Sequence, residues 1–486
     1  MRRPALLILL LAFAPYVSAQ QYDVVIEGGR AMDPETGLDA IRNIGIREGR
    51  IARISTDPLS GKRTISATNL VVAPGFIDLH QHGQDLDSQR VKAQDGVTTA
   101  LEMEIGKPDV AAFLQSHEGH SLINYGTTAS HVAARSLVFG SPLPQNEILP
   151  KAGPATDLPA TPEQVALIEQ RLQHELDAGG LGIGMGIQYT PGATHLEVIQ
   201  MFRLAAARNV PVFTHMRSFG PKEPGSAIEA VSEVIGAAAI SGASLHIVHI
   251  NSTCLLDSPQ CLSLVAGARA RGLDVTTEAY PYTAGMTSIN SALFNPGWKE
   301  KLGLDYSALQ LPDTGERLTK ERFEQLHNSS ESRWVLMFAN KDEVVDAVIT
   351  NPLVMIASDG DKGHPRNAGT YSRVLARYVR EQGSLTLMDA LRKMTLMPAE
   401  CLERATPDAR RKGRLQEGAD ADLVVFDPQT IADRSTYQHP MEPSVGVHYL
   451  LVGGTVVIDN AKLVPDIFPG RAITGPGKTA PASTGN

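Results

Sequence analysis

The feature of this 486-residue chain that most limits its fold is a sequence pattern that repeats eight times between residues 73 and 358. An apolar segment typical of a buried strand is followed by a polar loop and, in several repeats, by an amphipathic helical pattern. Eight strands alternating with helices predict an α/β fold of the (β/α)8 TIM-barrel type. The predicted strands are residues 73–79, 98–105, 129–133, 182–187, 210–215, 244–250, 274–279 and 354–358.

Both ends of the chain carry a different pattern, in which apolar and polar residues alternate over short runs, as in β-hairpins. It covers residues 22–54 and returns over residues 421–458, with no helical pattern beside it. We therefore predict that the two ends, residues 20–72 and 406–470, meet in one small composite β-sandwich. The barrel would then occupy residues 73–405.

Three segments fall outside this division. Residues 293–347, ahead of the last predicted strand, are too many for an ordinary loop and predict an inserted flap. Residues 471–486 are rich in Gly, Pro, Ala, Ser and Thr, which indicates a disordered tail. Residues 1–19 combine two arginines, an apolar run and a small-residue end, the pattern of a cleaved signal peptide.

A signal peptide predicts export, to the periplasm or the medium. An uncleaved membrane anchor is the alternative, but the apolar run is shorter than the roughly 20 residues that span a bilayer. The rest of the sequence contains no stretch of that kind, so we expect no stable membrane insertion after cleavage. The formal charge of −9, with no basic run longer than three residues, lacks the electrostatic footprint of a nucleic-acid-binding protein.

The three cysteines leave the disulfide pattern open. An oxidising compartment would permit a bridge between Cys254 and Cys261, and a bridge and two free thiols are equally compatible with their spacing. These spacings do not make a CxxC zinc knuckle. Cys401 lies in a helical pattern, where core packing is the simplest role.

Polar residues at strand ends indicate a metal site. In a TIM barrel the catalytic groups lie at the C-terminal ends of the strands. The first predicted strand ends at His80 and His82, whose i, i+2 spacing points both imidazoles the same way, as a metal requires. The fifth and sixth strands bring His215 and His249 to the same mouth, and the eighth brings Asp359.

The second predicted strand carries two carboxylates. Alternation along it turns Leu101, Met103 and Ile105 toward the outer helices, and Glu102 and Glu104 toward the barrel interior. Two inward carboxylates are costly unless they are paired or bind a metal. We expect Glu104, nearer the mouth, to be a ligand able to bridge two metals, and Glu102 to be a supporting or alternative ligand. An ion pair with an internal Arg or Lys is the other possibility.

Two further histidines have less certain places. His246 has the parity opposite to His249, and we predict a buried wall residue that faces away from the site. His131, at the end of the third predicted strand, is equally compatible with a supporting role in the site and with a place in the wall. The glycine-rich run over residues 180–186 lacks the context of a dinucleotide-binding motif. It indicates instead that a substrate approaches the backbone of the fourth strand.

Several motifs in this chain resemble those of the amidohydrolase superfamily. They are VAPGFIDLHQH (72–82), GRL (413–415) and GADADLVVF (418–426). Others narrow the resemblance to the N-acyl-D-amino-acid deacylases, also called D-aminoacylases. These are THMRS (214–218), EAYPYTAG (278–285), SDG (358–360) and HPR (364–366). The resemblance covers nearly the whole chain after the predicted signal peptide.

The resemblance implies an enzyme that hydrolyses the amide of a small N-acylated D-amino acid to a carboxylate and the free amino acid. It implies that His80, His82, His215 and His249 bind one or two Zn²⁺ ions, although other divalent transition metals suit the same ligands. Zn²⁺ lowers the pKa of a bound water to about 7. The resemblance makes Asp359 the general base, and then the general acid, of the reaction.

The resemblance also implies that Arg366 and Tyr282 hold the substrate carboxylate. The chain departs from the family pattern at two places. Family members often have a cysteine ligand near Ile105, where this chain offers only Glu104. A lysine often follows the sixth-strand histidine, and this chain has Asn251 there as a candidate substrate contact, which leaves the substrate class open.

Alternative functions stay open at this point. A cyclic-amide hydrolase or a metal-dependent dipeptidase could use the same barrel, and a catalytically inactive binding protein could retain it. The complete ligand set and Asp359 disfavour the inactive protein. Cyclic-amide enzymes use a carboxylated lysine as a bridge, and Lys107, just beyond the second strand, is a poor candidate. The acyl chain, amino acid, chirality and oligomeric state are not fixed by the sequence.

Overall fold

The structure is a computed structural model that describes residues 21–143, 147–329 and 331–477. The predicted signal peptide, residues 1–19, lies outside the described residues. The strands are β1 (Tyr22–Asp33), β2 (Leu38–Arg47), β3 (Arg50–Ser55), β4 (Gly61–Ser66), β5 (Val71–Pro74), β6 (Phe76–Asp78), β7 (Val97–Lys107), β8 (Asn124–Ser130), β9 (Ile183–Gly186), β10 (Val212–His215), β11 (Leu245–Ile247), β12 (Val275–Ala279), β13 (Ala284–Ser288), β14 (Leu309–Gln310), β15 (Trp334–Phe338), β16 (Val354–Ile356), β17 (Leu423–Phe426), β18 (Val447–Val452), β19 (Thr455–Asp459) and β20 (Lys462–Leu463).

The helices connect and flank these strands. They are α1 (Leu86–Gln94), α2 (Val110–His117), α3 (His131–Val138), α4 (Pro154–Asp157), α5 (Pro162–Asp177), α6 (His195–Arg208), α7 (Ala227–Ser241), α8 (Ile250–Cys254), α9 (Ser258–Ala270), α10 (Trp298–Leu302), α11 (Lys320–His327), α12 (Asp342–Thr350), α13 (Arg366–Arg373), α14 (Leu387–Met394) and α15 (Leu396–Leu402). Across the residues that the structure describes, no helix has the length and apolar character needed to cross a membrane.

Local sequence signals set the ends of the barrel helices. α7 begins after Ser226, whose side chain accepts the backbone N–H of Glu229 in a capping box. It ends at Gly242, whose φ of +77° is the left-handed conformation that glycine adopts without strain. α5 begins in the same way at Thr161, with a proline in its first turn.

The central sheet is the predicted barrel. Its eight strands are all parallel, in the order β16-β12-β11-β10-β9-β8-β7-β6. The first and last strands are joined beyond their ends, where the backbone N–H groups of His82 and Gly83 donate to the carbonyl of Gly360 at 2.9 and 3.1 Å. This architecture confirms the α/β barrel with an additional β-sheet unit.

The third barrel strand is displaced from its prediction. β8 covers Asn124–Ser130, and residue 131 begins a helix, whereas residues 129–133 were predicted to form the strand. The segment NYGTTAS is polar and contains a glycine, so it lacked the apolar run expected of a strand that is buried on both faces. Packing inside the barrel overrides that local signal.

The two ends of the chain share one nine-stranded sheet. Its order is β20-β19-β18-β17-β5-β1-β2-β3, and β4 also pairs with β1. The junction is the antiparallel pair of β5 and β17, in which Val72 lies opposite Val425. A core of side chains from both ends, including Ile26, Ile44 and Leu423, packs beneath this sheet.

The insertion before the last barrel strand forms a small unit of its own. β13, β15 and β14 make a three-stranded antiparallel sheet that packs with α10 and α11 around Trp298 and Phe323. It begins at Ala284 and ends at Phe338, whereas the sequence predicted a flap over residues 293–347. α12, which the prediction included, packs against β16 and serves the barrel.

The start of the C-terminal tail is ordered, contrary to the prediction from its composition. The last two residues of β8 pair with the first two of β9, which leaves the backbone of the earlier part of β8 free on this side. Residues 471–477 fill that gap: the N–H of Ile473 donates to Tyr125 O at 2.7 Å, and the N–H of Gly475 donates to Gly179 O at 2.9 Å. Ile473 is only 4% exposed. The rest of the predicted disordered tail, residues 478–486, lies outside the described residues.

The structure pairs Cys254 with Cys261 in a disulfide, which selects one of the two possibilities left open by the sequence. The bridge joins α8 to the first turns of α9, directly after the sixth barrel strand. Cys401 is a free, partly exposed thiol.

The lower part of the barrel interior is apolar. One cluster joins Ile77, Leu101, Met103, Phe213 and Met355, which come from β6, β7, β10 and β16. These strands do not all neighbour one another, so their shared cluster lies inside the barrel. The prediction that Leu101 and Met103 face the outer helices was therefore wrong.

Candidate metal centre

A bulge in β7 brings Glu104 to the middle of the barrel mouth. The pairing of β7 with β8 runs in register to Glu102 and resumes only at Lys107, so residues 103–106 of β7 lie opposite the single residue Thr128 of β8. Gly106 completes the bulge with a φ of +75°, and a Cβ there would lie 2.5 Å from Thr128 O. The bulge breaks the strand's alternation and places Glu104, 3% exposed, above the apolar interior.

Four imidazoles converge on the carboxylate of Glu104. Oε1 lies 2.6 Å from His215 Nδ1 and 2.8 Å from His249 Nε2. Oε2 lies 3.2 Å from His80 Nε2 and 3.3 Å from His82 Nε2. Each carboxylate oxygen thus faces one pair of histidines, which is the geometry that a bridging ligand would have.

Asp359 joins one of these pairs. Its Oδ1 lies 3.2 Å from His82 Nε2 and 3.4 Å from His80 Nε2. Its φ of +50° is uncommon for a residue other than glycine, and such backbone strain is often found at functional sites. We call His80, His82 and Asp359 the first half of the centre, and His215 and His249 the second half. Glu104 lies between the halves.

Each imidazole has a buried partner on its outer nitrogen. A carboxylate, an amide and a hydroxyl fill this role, and such contacts fix the tautomer and orientation of metal-binding histidines. The contacts are His80 Nδ1 to Glu278 Oε1 at 2.6 Å, His82 Nδ1 to Glu102 Oε2 at 2.7 Å, His215 Nε2 to Gln188 Oε1 at 2.9 Å and His249 Nδ1 to Thr253 Oγ1 at 3.1 Å.

This arrangement fits a divalent cation. The outer N–H groups of His80, His82 and His215 are used by acceptors, so their inner nitrogens present lone pairs to the carboxylate of Glu104. Lone pairs facing each other at 2.6 to 3.3 Å repel unless a proton or a cation lies between them. Two sets of three residues could each hold an ion, because the ligand atoms within each set lie within 4.8 Å of one another. The sets are His80, His82 and Asp359, and His80, Glu104 and His249.

The charges of the cluster shift its titration. Burial disfavours the charged form of Glu104, but the charges of His80 and His215 hold its pKa well below the usual range. Burial likewise opposes the charge on His80, yet Glu104 and Asp359 raise its pKa well above the usual value. The pKa of His215, next to Gln188, is lowered, chiefly by burial. Cations and protons therefore compete for this cluster, so acid should weaken metal binding.

Arg366 lies behind Asp359. Its Nη1 is 2.9 Å from Asp359 Oδ2, and its guanidinium stacks 4.6 Å from the centroid of the Tyr280 ring. Burial disfavours the charge of Asp359, but Arg366 and His80 lower its pKa. Nε of Arg366 has no hydrogen-bond partner among the described residues, and Nη1 faces only the carboxylate of Asp359. A buried guanidinium with unused N–H groups can donate hydrogen bonds to a further anionic group.

The structure does not place Tyr282 and Asn251 where the resemblance implied. Tyr282 is buried beside Arg373, whose guanidinium lies 4.8 Å from its ring centroid, and the cavity is lined by Tyr280 instead. The Asn251 side chain donates to Tyr280 O at 3.0 Å and is fully buried. Neither predicted substrate contact therefore lines the inner cavity.

His131 and His246 also lie outside the centre. His131 begins α3, and its Nε2 lies 2.9 Å from Glu197 Oε1. His246 was predicted to face away from the site, but it lies inside the barrel, with Nε2 3.1 Å from Glu278 Oε2. It faces inward because it alternates with Leu245 and Ile247, which pack among the outer helices.

Glu278 and Gln188 were not identified as site residues from the sequence. Glu278 lies in β12, the seventh barrel strand, at whose end no candidate for the metal site was named. A carboxylate near the end of a predicted barrel strand could have been identified by the same rule that found Asp359. Gln188 lies in a short 3₁₀ turn after β9, and nothing in its sequence pattern distinguishes it.

Two joined cavities lead to the centre. The inner one, of about 40 Å³, lies against Glu104 and has a largely apolar wall. The outer one has a volume of about 620 Å³ and a mixed lining of charged, polar and apolar residues. Within the described part of the chain, no lysine or arginine lines the inner cavity. Its apolar wall consists of Ile148, Leu149, Phe219, Met286, Leu293, Trp334 and Met337.

Known proteins are similar to this chain in sequence. Residues 148–458 match a model described as "Amidohydrolase family". The chain is 30% identical to N-acyl-D-glutamate deacylase of Alcaligenes xylosoxydans xylosoxydans, over 93% of this chain and 97% of the relative. It is 28% identical to D-aminoacylase of the same organism, over 90% and 95%.

A solved structure agrees with these sequence matches. It is N-acyl-D-glutamate deacylase from Bordetella bronchiseptica, complexed with zinc and a phosphonate inhibitor that mimics the tetrahedral intermediate of its reaction. The TM-score is 0.79 at 25% identity, and the match covers 94% of this chain and all of that one.

Proposed function

This chain belongs to the amidohydrolase family and is a hydrolase acting on C–N bonds, and from this we propose that it deacylates N-acyl-D-amino acids in a metal-dependent reaction. The observation that carries the proposal is the convergence of four imidazoles on the carboxylate of Glu104 at the barrel mouth. Because Glu104 lies where a bridging ligand would lie, a carboxylated lysine would have no role there, which disfavours the cyclic-amide alternative.

The residues that would hold the metal are the two halves of the centre and the shared Glu104. One or two ions, with Zn²⁺ as the best fit to imidazole and carboxylate donors, would polarise the substrate carbonyl and lower the pKa of a water molecule. The zinc in the Bordetella relative supports this assignment.

Asp359 would move the proton. Arg366 keeps it ionised, and Oδ1 faces the first half of the centre, so it can accept a proton from the attacking water. The same carboxyl group would then protonate the leaving nitrogen, since the amine is a poor leaving group without that proton.

Arg366 would hold the substrate carboxylate. Its unused N–H groups next to Tyr280 support this role, and a planar guanidinium matches a carboxylate better than an ammonium does. We expect Arg366→Ala to raise KM for N-acyl amino acids far more than for the corresponding amides, which lack the free carboxylate. A fall in kcat common to both substrates would instead report the loss of the ion pair with Asp359. Equal KM changes for both would show that Arg366 does not contact the carboxylate.

The inner cavity favours an uncharged substrate side chain. Its apolar wall, which includes Phe219 and Trp334, offers no cation to a second carboxylate such as that of glutamate. Burying an unpaired carboxylate there would be costly. We therefore propose that apolar N-acyl-D-amino acids are better substrates than N-acyl-D-glutamate.

We also propose that the protein is exported. The pattern of residues 1–19 supports this, with its arginines, apolar run and small-residue end. N-terminal sequencing of the protein recovered from the periplasm or medium should give a mature chain that begins at Gln20.

A substrate screen tests the function directly. The purified, Zn²⁺-loaded protein would be assayed with matched N-acyl-D- and N-acyl-L-amino acids, with simple cyclic amides and with dipeptides. We expect turnover of the D-series, led by apolar members. Turnover of the cyclic amides or of the dipeptides alone would overturn the proposal in favour of those activities.

A further inference from the structure

A further cavity opens at the end of the barrel opposite to the metal centre, and we call it the basal cavity. It has a volume of about 710 Å³, and Pro211, Ser244 and Asp274, each just ahead of a barrel strand, line it. In TIM-barrel enzymes this end gives stability, and the other end carries the catalytic groups. The partly exposed thiol of Cys401 nevertheless lies in the wall of the basal cavity.

The thiol of Cys401 contacts a buried histidine. Its Sγ lies 3.7 Å from His246 Nδ1 and 3.6 Å from Thr276 Oγ1. His246 is fully buried, and its other ring nitrogen, Nε2, lies 3.1 Å from Glu278 Oε2. A thiol, an imidazole and a carboxylate thus follow one another, which is the order in which a nucleophile, its activating histidine and the group that orients the histidine are found.

The imidazole of His246 presents a positive charge to the thiol. Burial disfavours that charge, but Cys401 and Glu278 raise the pKa of His246 to about 9. Because Nε2 is held by Glu278, the N–H group on Nδ1 is directed at Thr276 and Cys401. A neighbouring imidazolium stabilises a thiolate, and the thiolate is the form of cysteine that reacts with disulfides.

The lining of the basal cavity favours an anionic reactant. Its three carboxylates are each paired with an arginine: Asp274 with Arg404 at 3.5 Å, Glu400 with Arg392 at 4.0 Å and Glu403 with Arg414 at 2.7 Å. Arg269 and Arg410 also line the cavity, and neither has a carboxylate partner in the part of the chain that the structure describes. Their guanidinium groups are therefore available to the carboxylates of a reactant.

From this geometry we propose that Cys401 is a modification site at which the thiol exchanges with small disulfides that carry carboxylates. The thiol loses its proton to water, and its sulfur forms a bond to one sulfur of the reactant. The S–S bond of the reactant breaks, and its other half leaves as a thiolate. The sulfur of Cys401 is oxidised and the leaving sulfur is reduced, so the step needs no other oxidant. His246 stabilises the charge on the attacking sulfur.

Reaction of the Zn²⁺-loaded full-length protein with dithionitrobenzoate, an aromatic disulfide with two carboxylates, tests the proposal. We expect one released thiolate per chain, with a mass adduct on the peptide that contains Cys401, and no release from Cys401→Ser. Cys254 and Cys261 are buried in their disulfide and should not react. The folded protein should react faster than the same protein unfolded in denaturant, although folding partly covers the thiol. A folded protein that reacts no faster than the unfolded chain would overturn the proposal.

Matched variants test the role of His246. His246→Gln removes the charge, and we expect the rate of exchange to fall by at least about 10-fold. Thr276→Val removes the other polar contact of the thiol but leaves the imidazole in place, so the rate should not fall. Circular dichroism and thermal unfolding would establish that both variants are folded. An undiminished rate in folded His246→Gln would refute the activating role, and the comparison of folded with unfolded protein does not depend on this variant.

Two aliphatic disulfides of similar size test the preference for anions. Dithiodipropionate carries two carboxylates and cystamine carries two ammonium groups, and each rate would be divided by the rate with the unfolded protein. We expect the higher relative rate for dithiodipropionate, and the joint exchange of Arg269→Gln and Arg410→Gln should remove the difference. A higher relative rate for cystamine would overturn the preference. None of these measurements uses hydrolytic activity, so their failure would leave the proposed function standing.

Discussion

Two buried glutamates in this chain contact histidines in contrasting ways. The carboxylate of Glu197 lies 2.9 Å from His131 and accepts two hydrogen bonds from Arg135, at 2.6 and 2.7 Å. Glu104 lies among four imidazoles, and among the described residues no arginine or lysine donates to it.

The contrast shows what distinguishes a structural ion pair from a metal site. Arg135 is always charged and has enough N–H groups for both oxygens of Glu197, so that cluster satisfies itself. The imidazoles around Glu104 use their N–H groups elsewhere, so that cluster needs protons or a cation from outside. The carboxylate of Glu197 is therefore fully paired within the protein, whereas that of Glu104 is left to bind a proton or a cation.

The largest effect should follow from replacing Glu104, the carboxylate that lies among the four imidazoles. Glu104→Gln replaces the carboxylate shared by both halves with a neutral amide, and we expect kcat/KM to fall by more than about 10⁴, beyond the usual effect of one proton-transfer group. Metal analysis should show loss of the bound ion, and circular dichroism should show an intact fold. A folded, metal-loaded and active Glu104→Gln protein would mean that the centre has another bridge.

Removing the base should separate chemistry from metal binding. In Asp359→Asn the imidazoles and Glu104 remain, so most of the metal should stay bound, while kcat falls by about 10² to 10⁴. Metal content and kcat would be measured on the same preparation. Metal loss that accounts for the whole rate defect would make Asp359 a ligand only.

The same substitution at Glu197, which pairs with His131 and Arg135, should lower the stability of the protein instead of its activity. Glu197→Gln leaves the buried Arg135 without its charge partner, which costs about 3 to 5 kcal/mol in the free energy of unfolding. Denaturant unfolding would measure that loss, and Zn²⁺ titration should show unchanged metal affinity. A selective loss of metal with unchanged stability would contradict the contrast drawn between the two glutamates.

The smallest effect should come from replacing Glu102, which contacts the outer nitrogen of His82. Glu102→Gln weakens the support of His82 without removing a ligand, and we expect a loss of about 10 to 100-fold in metal affinity. The loss should be smaller than in Glu104→Gln under the same titration conditions. Equal losses in both variants would show that Glu102 is itself a ligand.

Much of this molecule could be predicted from the sequence, because strand ends in a barrel are marked by local signals. Apolar runs indicated the eight strands, and the polar residues after them included His80, His215 and Asp359. The third strand was displaced because a polar segment with a glycine forms it. Composition also failed for the segment around Ile473, which is ordered by unpaired backbone groups of another part of the chain.

Glu104 shows where alternation stops being informative. Alternation turned it inward together with Glu102, and turned Leu101 and Met103 outward. In the structure Leu101 and Met103 pack inside, and the bulge at Gly106 returns Glu104 to the barrel mouth. Tyr282 was assigned from the family resemblance, and in the structure Tyr280 lines the cavity instead.

The pairing of β5 with β17 has a consequence for how the chain is made. These strands come from distant parts of the sequence, and residues 471–477 close a gap in the barrel wall only after the barrel strands have been synthesised. The first strands to leave the ribosome must therefore wait for the last, with their edge open to wrong partners. Biosynthesis of this protein should thus depend on whatever protects the unfinished chain, and premature termination anywhere in the barrel should yield no folded product.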